Sequence, residues 1–158
     1  MKRKVPFFLA KTLILTILFT VLYYLIFLSP QISKQKRLND KIISLSSNLS
    51  ILVQNRLSFI ELTRLDPKSP SFNSQKSELI NTIKITNQKG LNEPSFPDKA
   101  KEIFQRQNKL LEKVFTTNSY EEGVLLLKSK ESLELLTDQT NLILDLQREL
   151  DNLKKELK

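Results

Sequence analysis

Seventeen consecutive residues, 12–28, read TLILTILFTVLYYLIFL without a charge, a glycine or a proline. A helix apolar on every side must be covered by lipid or by a large protein, and lipid is the cover expected here. At about 1.5 Å per residue the run spans roughly 26 Å, close to the lower limit for a hydrocarbon layer of about 30 Å. Extending it back to Phe7, with Lys11 snorkelling its ammonium to the headgroups, removes the shortfall. The expectation is a single transmembrane helix over 12–28, or from residue 7, behind a short basic tail, 1–11, with Lys2, Arg3, Lys4 and Lys11.

A cleaved secretory signal would need a small-x-small site after the apolar run, and none is written there. Cleavage after Ser29 would place Phe27 two positions earlier and Pro30 immediately after the cut, and cleavage after Ser33 would place Gln31 at the earlier position. Lys2, Arg3, Lys4, Lys11 and the terminal amine precede the span, while Lys34, Lys36, Arg37 and Lys41 follow it. The excess of positive charge on the leading side predicts a cytoplasmic N-terminus and an extracytoplasmic C-terminal domain.

Residues 29–158 are sufficient for one domain of ordinary size. Only two glycines and two alanines are present, which disfavours a turn-rich sandwich or barrel, and the six prolines fall at expected helix starts or loops, so the fold class expected is all-α: the membrane helix followed by an antiparallel bundle of about four helices, its first and last members long and coiled-coil-like. Ser29-Pro30 is a helix-start signature for a helix over about 30–65. Leu38, Ile42, Leu45, Leu49 and Leu52 recur there at alternating spacings of four and three, a packing seam. Arg56 falls on the next strict heptad position and is expected to reach solvent from the edge of the stripe. Asp66-Pro67-Lys68-Ser69-Pro70-Ser71 is a loop by composition. A second helix is expected over about 74–88, ended by Gly90. Ser95-Phe96-Pro97-Asp98 resembles a capping box opening a third helix over 97–117, whose Ala100, Ile103, Phe104, Gln107, Leu110, Leu111, Val114 and Phe115 form one face. Ser119-Tyr120-Glu121-Glu122 caps a fourth, over 120–158, that keeps a heptad except where Gln139 or Thr140 interrupts it.

These lengths predict an asymmetric bundle. The first and last helices reach about 54 and 58 Å and the middle two about 22 and 32 Å, so a two-helix stalk is expected near the membrane. It would pair Leu38, Ile42 and Leu45 with Ile143, Leu146, Leu150, Leu153 and Leu157, and a second copy or another helical membrane-associated protein would complete the seam. Lys34, Arg37 and Lys41, spaced by three and four, line one helical face beside the bilayer and are candidates for contact with anionic headgroups.

The chain contains no histidine, cysteine or tryptophan, which removes zinc sites with nitrogen or sulfur ligands and Ser-His-Asp or Cys-His catalysis. Glycines at 90 and 123 cannot write a phosphate-binding loop. The 25 basic and 17 acidic residues give a charge of +8, but the signs are mixed along the helices rather than gathered into a nucleic-acid-binding stripe. Asn48-Leu49-Ser50 matches a glycosylation sequon on a segment expected to be helical. No catalytic, cofactor or metal residue, small-molecule substrate or nucleic-acid partner is assigned. The function expected is partner binding or scaffolding by a membrane-anchored bundle, with an extracytoplasmic sensory or ligand-binding bundle coupled to a separate signalling protein as the alternative.

Overall fold

The computed structural model describes residues 7–66, 68–116 and 120–157, all of whose regular elements are helical. Two compact units divide the chain, residues 1–41 with Leu157 and residues 42–156 with Lys158.

In the first unit, α1 (Phe7–Tyr23) passes through a wide π-turn (Tyr24–Leu28) into α2 (Ser29–Arg64), whose later residues belong to the second unit. A new α-helix does begin at Ser29, but the helical path is unbroken there and Ser29 itself has helical backbone angles rather than those of a cap. Proline has no N–H and its ring crowds the carbonyl four residues back. The chain meets this with the wider turn just ahead of it, in which the Ser29 N–H donates to the Tyr24 carbonyl. Within α1 the Thr16 and Thr20 hydroxyls donate to carbonyls four residues back, each at 2.8 Å, so neither is left unpaired along an apolar surface. No side chain over 12–28 is buried, and the continuous helix that starts with this segment is long and apolar enough, by length and composition, to cross a membrane.

The second unit is a bundle of four long helices: the later part of α2, α3 (Phe72–Asn92), α4 (Asp98–Thr116) and α6 (Lys130–Glu156), with short α5 (Tyr120–Leu127) leading into the last. Side-chain bonds fix the directions. Asn48 of α2 reaches Ser95 beyond the end of α3, whereas Asn55 reaches Thr86 and Asn87, so α2 and α3 are antiparallel. Asn87 meets Asn108, and Arg106 and Lys113 of α4 meet Asp138 and Glu131 of α6 respectively, giving the same alternation onward. Leu52 and Phe59, Ile80 and Ile83, Phe104 and Leu110, and Leu135 fill the core between the four helices, each contributing about 1.5–3 kcal/mol by leaving water.

Three local expectations are corrected. Helix α3 extends beyond 74–88 at both ends, and Gly90 does not stop it. Gly90 lies inside the helix, and a Cβ there would overlap the ring of Phe104, itself fully buried and packed edge-on against Phe96 with centroids 5.5 Å apart. The glycine is required by the closeness of α4. Ser95 does not serve as a simple cap for α4. Its hydroxyl is shared between Glu93, at 2.9 Å, and Asn48, while the Pro97 carbonyl accepts from Ala100 and Lys101. The single helix expected over 120–158 is broken at Lys128–Ser129. Ser129 Oγ accepts from the Ser132 N–H, and the Ser132 hydroxyl donates to the Leu126 carbonyl at 3.0 Å. Two serines thus offer the backbone an alternative to continued helix. The proposed cap Ser119 lies outside the described residues.

Candidate functional site

Every α-helical core position could in principle be filled by an aliphatic side chain, yet one level of this bundle is polar in all four long helices. Asn55, fully buried on α2, is its hub. The Asn55 amide nitrogen donates to Thr86 Oγ1 and to Asn87 Oδ1, both at 2.8 Å, and its oxygen accepts from Gln139 Nε2 at 2.7 Å. Asn87 passes the network to α4 by donating to Asn108 Oδ1 at 2.7 Å, and the Thr86 hydroxyl also faces the carbonyls of Thr82 and Ile83. Gln107, one residue from Asn108 and fully buried, has no hydrogen-bond partner for either amide atom among the described residues, and Gln139 has none for its oxygen. A buried polar group left unpaired costs about 1–3 kcal/mol, so the layer is stabilising where it is connected and costly at Gln107.

Two arginines flank α6 on opposite sides. Arg106 of α4 is paired twice, with Asp138 at 2.8 Å and Glu134 at 3.9 Å, on an edge that also carries the Lys113–Glu131 pair. Arg56 of α2 is half-buried, and its Nε donates to the Thr140 hydroxyl at 3.0 Å. It does not simply point into solvent as expected. No carboxylate pairs with it among the described residues.

At the end of the bundle where α2 finishes and α3 begins there is a cavity of about 250 Å³. Leu62, Phe72, Val114, Val124 and Leu127 give it an apolar wall, and Lys76, whose ammonium sits 5.8 Å from the Phe72 ring centre, is the charged residue of its lining.

Of the residues proposed for a partner seam, Leu45, Leu146, Leu150 and Leu153 are buried within the single chain, and Leu38, Ile42, Ile143 and Leu157 are half-buried. Lys34, Arg37 and Lys41 are exposed along the early part of α2. Asn48 of the sequon is 2% exposed and bonded to Ser95, a position no glycosylating enzyme reaches in the folded protein. The carboxylates Glu131 and Glu134 lie in the surface ion pairs with Lys113, Arg106 and Lys130.

Sequence reasoning missed the polar layer, although it marked Arg56 and Gln139 or Thr140 as interruptions of their heptads. Those interruptions are the signal, since in an antiparallel α2–α6 pair they fall at one level. Comparison of the chain with protein-family models, with curated protein sequences and with solved structures found no match.

Proposed function

We propose that this chain is a single-pass membrane protein that displays its helical bundle outside the cytoplasm and acts by binding a partner protein rather than by catalysis. The carrying observation is the segment 12–28, apolar throughout with no buried side chain, in a chain whose later helices have a core of their own. A core helix of that composition would be covered, and an uncovered one in water would expose an apolar surface far beyond what soluble proteins tolerate. The bundle supplies packing surfaces and surface ion pairs. The described carboxylates that flank α6 neutralise Arg106, Lys113 and Lys130 and stand on a solvated edge, which does not resemble paired acid–base groups held in a cleft.

Sodium carbonate washing should leave the protein in the membrane pellet, and mass spectrometry of the mature chain should recover peptides covering 12–28. Protease added to sealed cells or vesicles should reach Lys158 from the extracytoplasmic side. A soluble mature protein beginning near Ser33 would remove the anchor, and protection of Lys158 would reverse the orientation.

The 250 Å³ cavity favours a second reading, a ligand-binding bundle. A small molecule that copurifies with the protein and is lost on Leu62→Trp would support it.

A further inference from the structure

We infer that the outer face shared by α2 and α6 docks an amphipathic helix of a partner protein, and that Arg56 receives a carboxylate from that helix. The inference rests on the partner-binding reading above and goes further by naming the surface and the chemistry of what covers it.

The face follows from helical geometry. On α2, Leu52, Asn55 and Phe59 point inward, and at 3.6 residues per turn Val53 and Leu57 come round to the outside on the side where Arg56 meets α6. On α6, Leu135, Gln139 and Leu142 point inward, and Leu133 and Leu144 come round on the side of Thr140. The Arg56–Thr140 bond sets the two helices in register, so Leu57 and Leu133 lie toward one end of the face and Val53 and Leu144 toward the other. All four are exposed, Leu57 by 52% and Leu133 by 61%. The stretch from Leu133 to Leu144 covers about 16 Å along the axis, which three turns of a partner helix would match.

What the partner carries is set by charge. The guanidinium has five N–H donors, and the bond to Thr140 engages one. A guanidinium is a planar fork that matches a carboxylate, and Arg106, on the opposite edge of the same helix, meets two of them. Among the described residues no acidic side chain pairs with Arg56, so at the centre of the face, between Leu57 and Leu133 on one side and Val53 and Leu144 on the other, stands a cation whose recorded partner is a hydroxyl. Its complement is a helix with apolar residues at three- and four-residue spacing and an Asp or Glu between them. A second copy of this chain does not fit, because a two-fold axis through the centre of the face would set the two Arg56 guanidiniums against each other.

The test places a photo-crosslinking amino acid in the full chain, in its own membrane, at Leu57 or Leu144 on the face and at Ile85 or Leu125, which are exposed elsewhere. The expected result is an adduct with a different protein from Leu57 and Leu144, at least tenfold above that from Ile85 and Leu125, mapping to an amphipathic helix with a central carboxylate. Arg56→Glu should reduce it at least tenfold, and replacing the partner's carboxylate by Lys should restore it in that background. Arg56→Gln, which keeps a donor for Thr140, should give the same loss in a variant with unchanged thermal unfolding. An adduct of twice the chain's mass, or one indifferent to both Arg56 variants, would overturn the inference. Adducts from Ile85 or Leu125 alone would leave a partner-binding protein but remove this surface, and no adduct from any of the four positions would end both.

Discussion

Replacing Asn55 by leucine removes the hub of the polar layer without changing the side chain's size greatly. Three hydrogen bonds disappear, and their remaining ends fare differently. Thr86 keeps its carbonyl partners in α3, whereas Asn87 Oδ1 and Gln139 Nε2 lose the bonds they make to Asn55. Two orphaned groups cost about 1–3 kcal/mol each, against roughly 1.5–3 kcal/mol from an apolar side chain at a fully buried site, so a net loss of about 2 kcal/mol is expected. In the double variant Asn55→Leu with Gln139→Leu, the glutamine's orphaned nitrogen and its unpaired oxygen are both gone. One orphan remains at Asn87, against two apolar gains, and stability should return to at least the wild-type value. The second substitution alone leaves Asn55 Oδ1 without a donor but removes the glutamine's unpaired oxygen and adds a buried apolar side chain, so it should be neutral to stabilising, and the double variant should be more stable than either single one. Urea denaturation of the full chain in lipid nanodiscs, followed by far-UV circular dichroism, measures each corner of the cycle. A coupling of at least about 2 kcal/mol is expected. Losses that simply add, or an Asn55→Leu variant as stable as wild type, would refute the network.

Gln107→Leu should raise stability by about 1–3 kcal/mol, since it removes two buried amide atoms with no partner, seen as a rise of roughly 4 °C per kcal/mol in thermal unfolding; a lower melting temperature would mean the amide is bonded. Gly90→Ala should lose about 1–2 kcal/mol despite the roughly 1 kcal/mol by which alanine is the better helix former, because Phe104 has no room to retreat. In a Phe104→Leu background the same change should become neutral or favourable, and an unaltered penalty in the denaturation midpoint would show that the ring is not the obstacle. In an anchor-less fragment, residues 31–158, changing Lys34, Arg37 and Lys41 together to Gln should weaken binding to anionic vesicles by up to about 100-fold at low salt, at about 1 kcal/mol per cation, with wild-type binding falling as salt rises. Equal binding of the two proteins in a vesicle-sedimentation assay would leave these residues as ordinary flanks of an anchor.

The helices were legible where one helix's own pattern carries the information. The apolar face of 98–116 needs only the spacing of Ala100, Ile103, Phe104, Leu110, Leu111 and Val114, all buried as that spacing requires. Features fixed by a neighbouring element were not legible. Gly90 reads as a helix stop because glycine is a poor helix former, and the reason it sits within α3 is an aromatic ring on another helix. Ser129 and Ser132 were hidden for the opposite reason: the apolar pattern continues on either side of them, so their competition with the backbone carried less weight than the heptad.

The polar layer joins these two cases. Asn55 and Gln139 each look like a defect in an otherwise apolar stripe, and a defect in one helix has no meaning by itself. Once the helices are known to run antiparallel, interruptions at 55–56 and at 139–140 coincide, and each becomes the other's partner. Such a layer adds little net stability, since its gains are offset by desolvation, but a shift of α2 against α6 by one turn would separate Asn55 from Gln139 and bury both unpaired. Apolar seams alone tolerate such shifts more readily, and the polar level therefore selects a register. That selection also fixes where Arg56 stands. Glu131, Glu134 and Asp138, spaced by three and four, all fall on the α4 side of α6, so the register that satisfies Asn55 places Arg56 opposite Thr140 and away from every one of them.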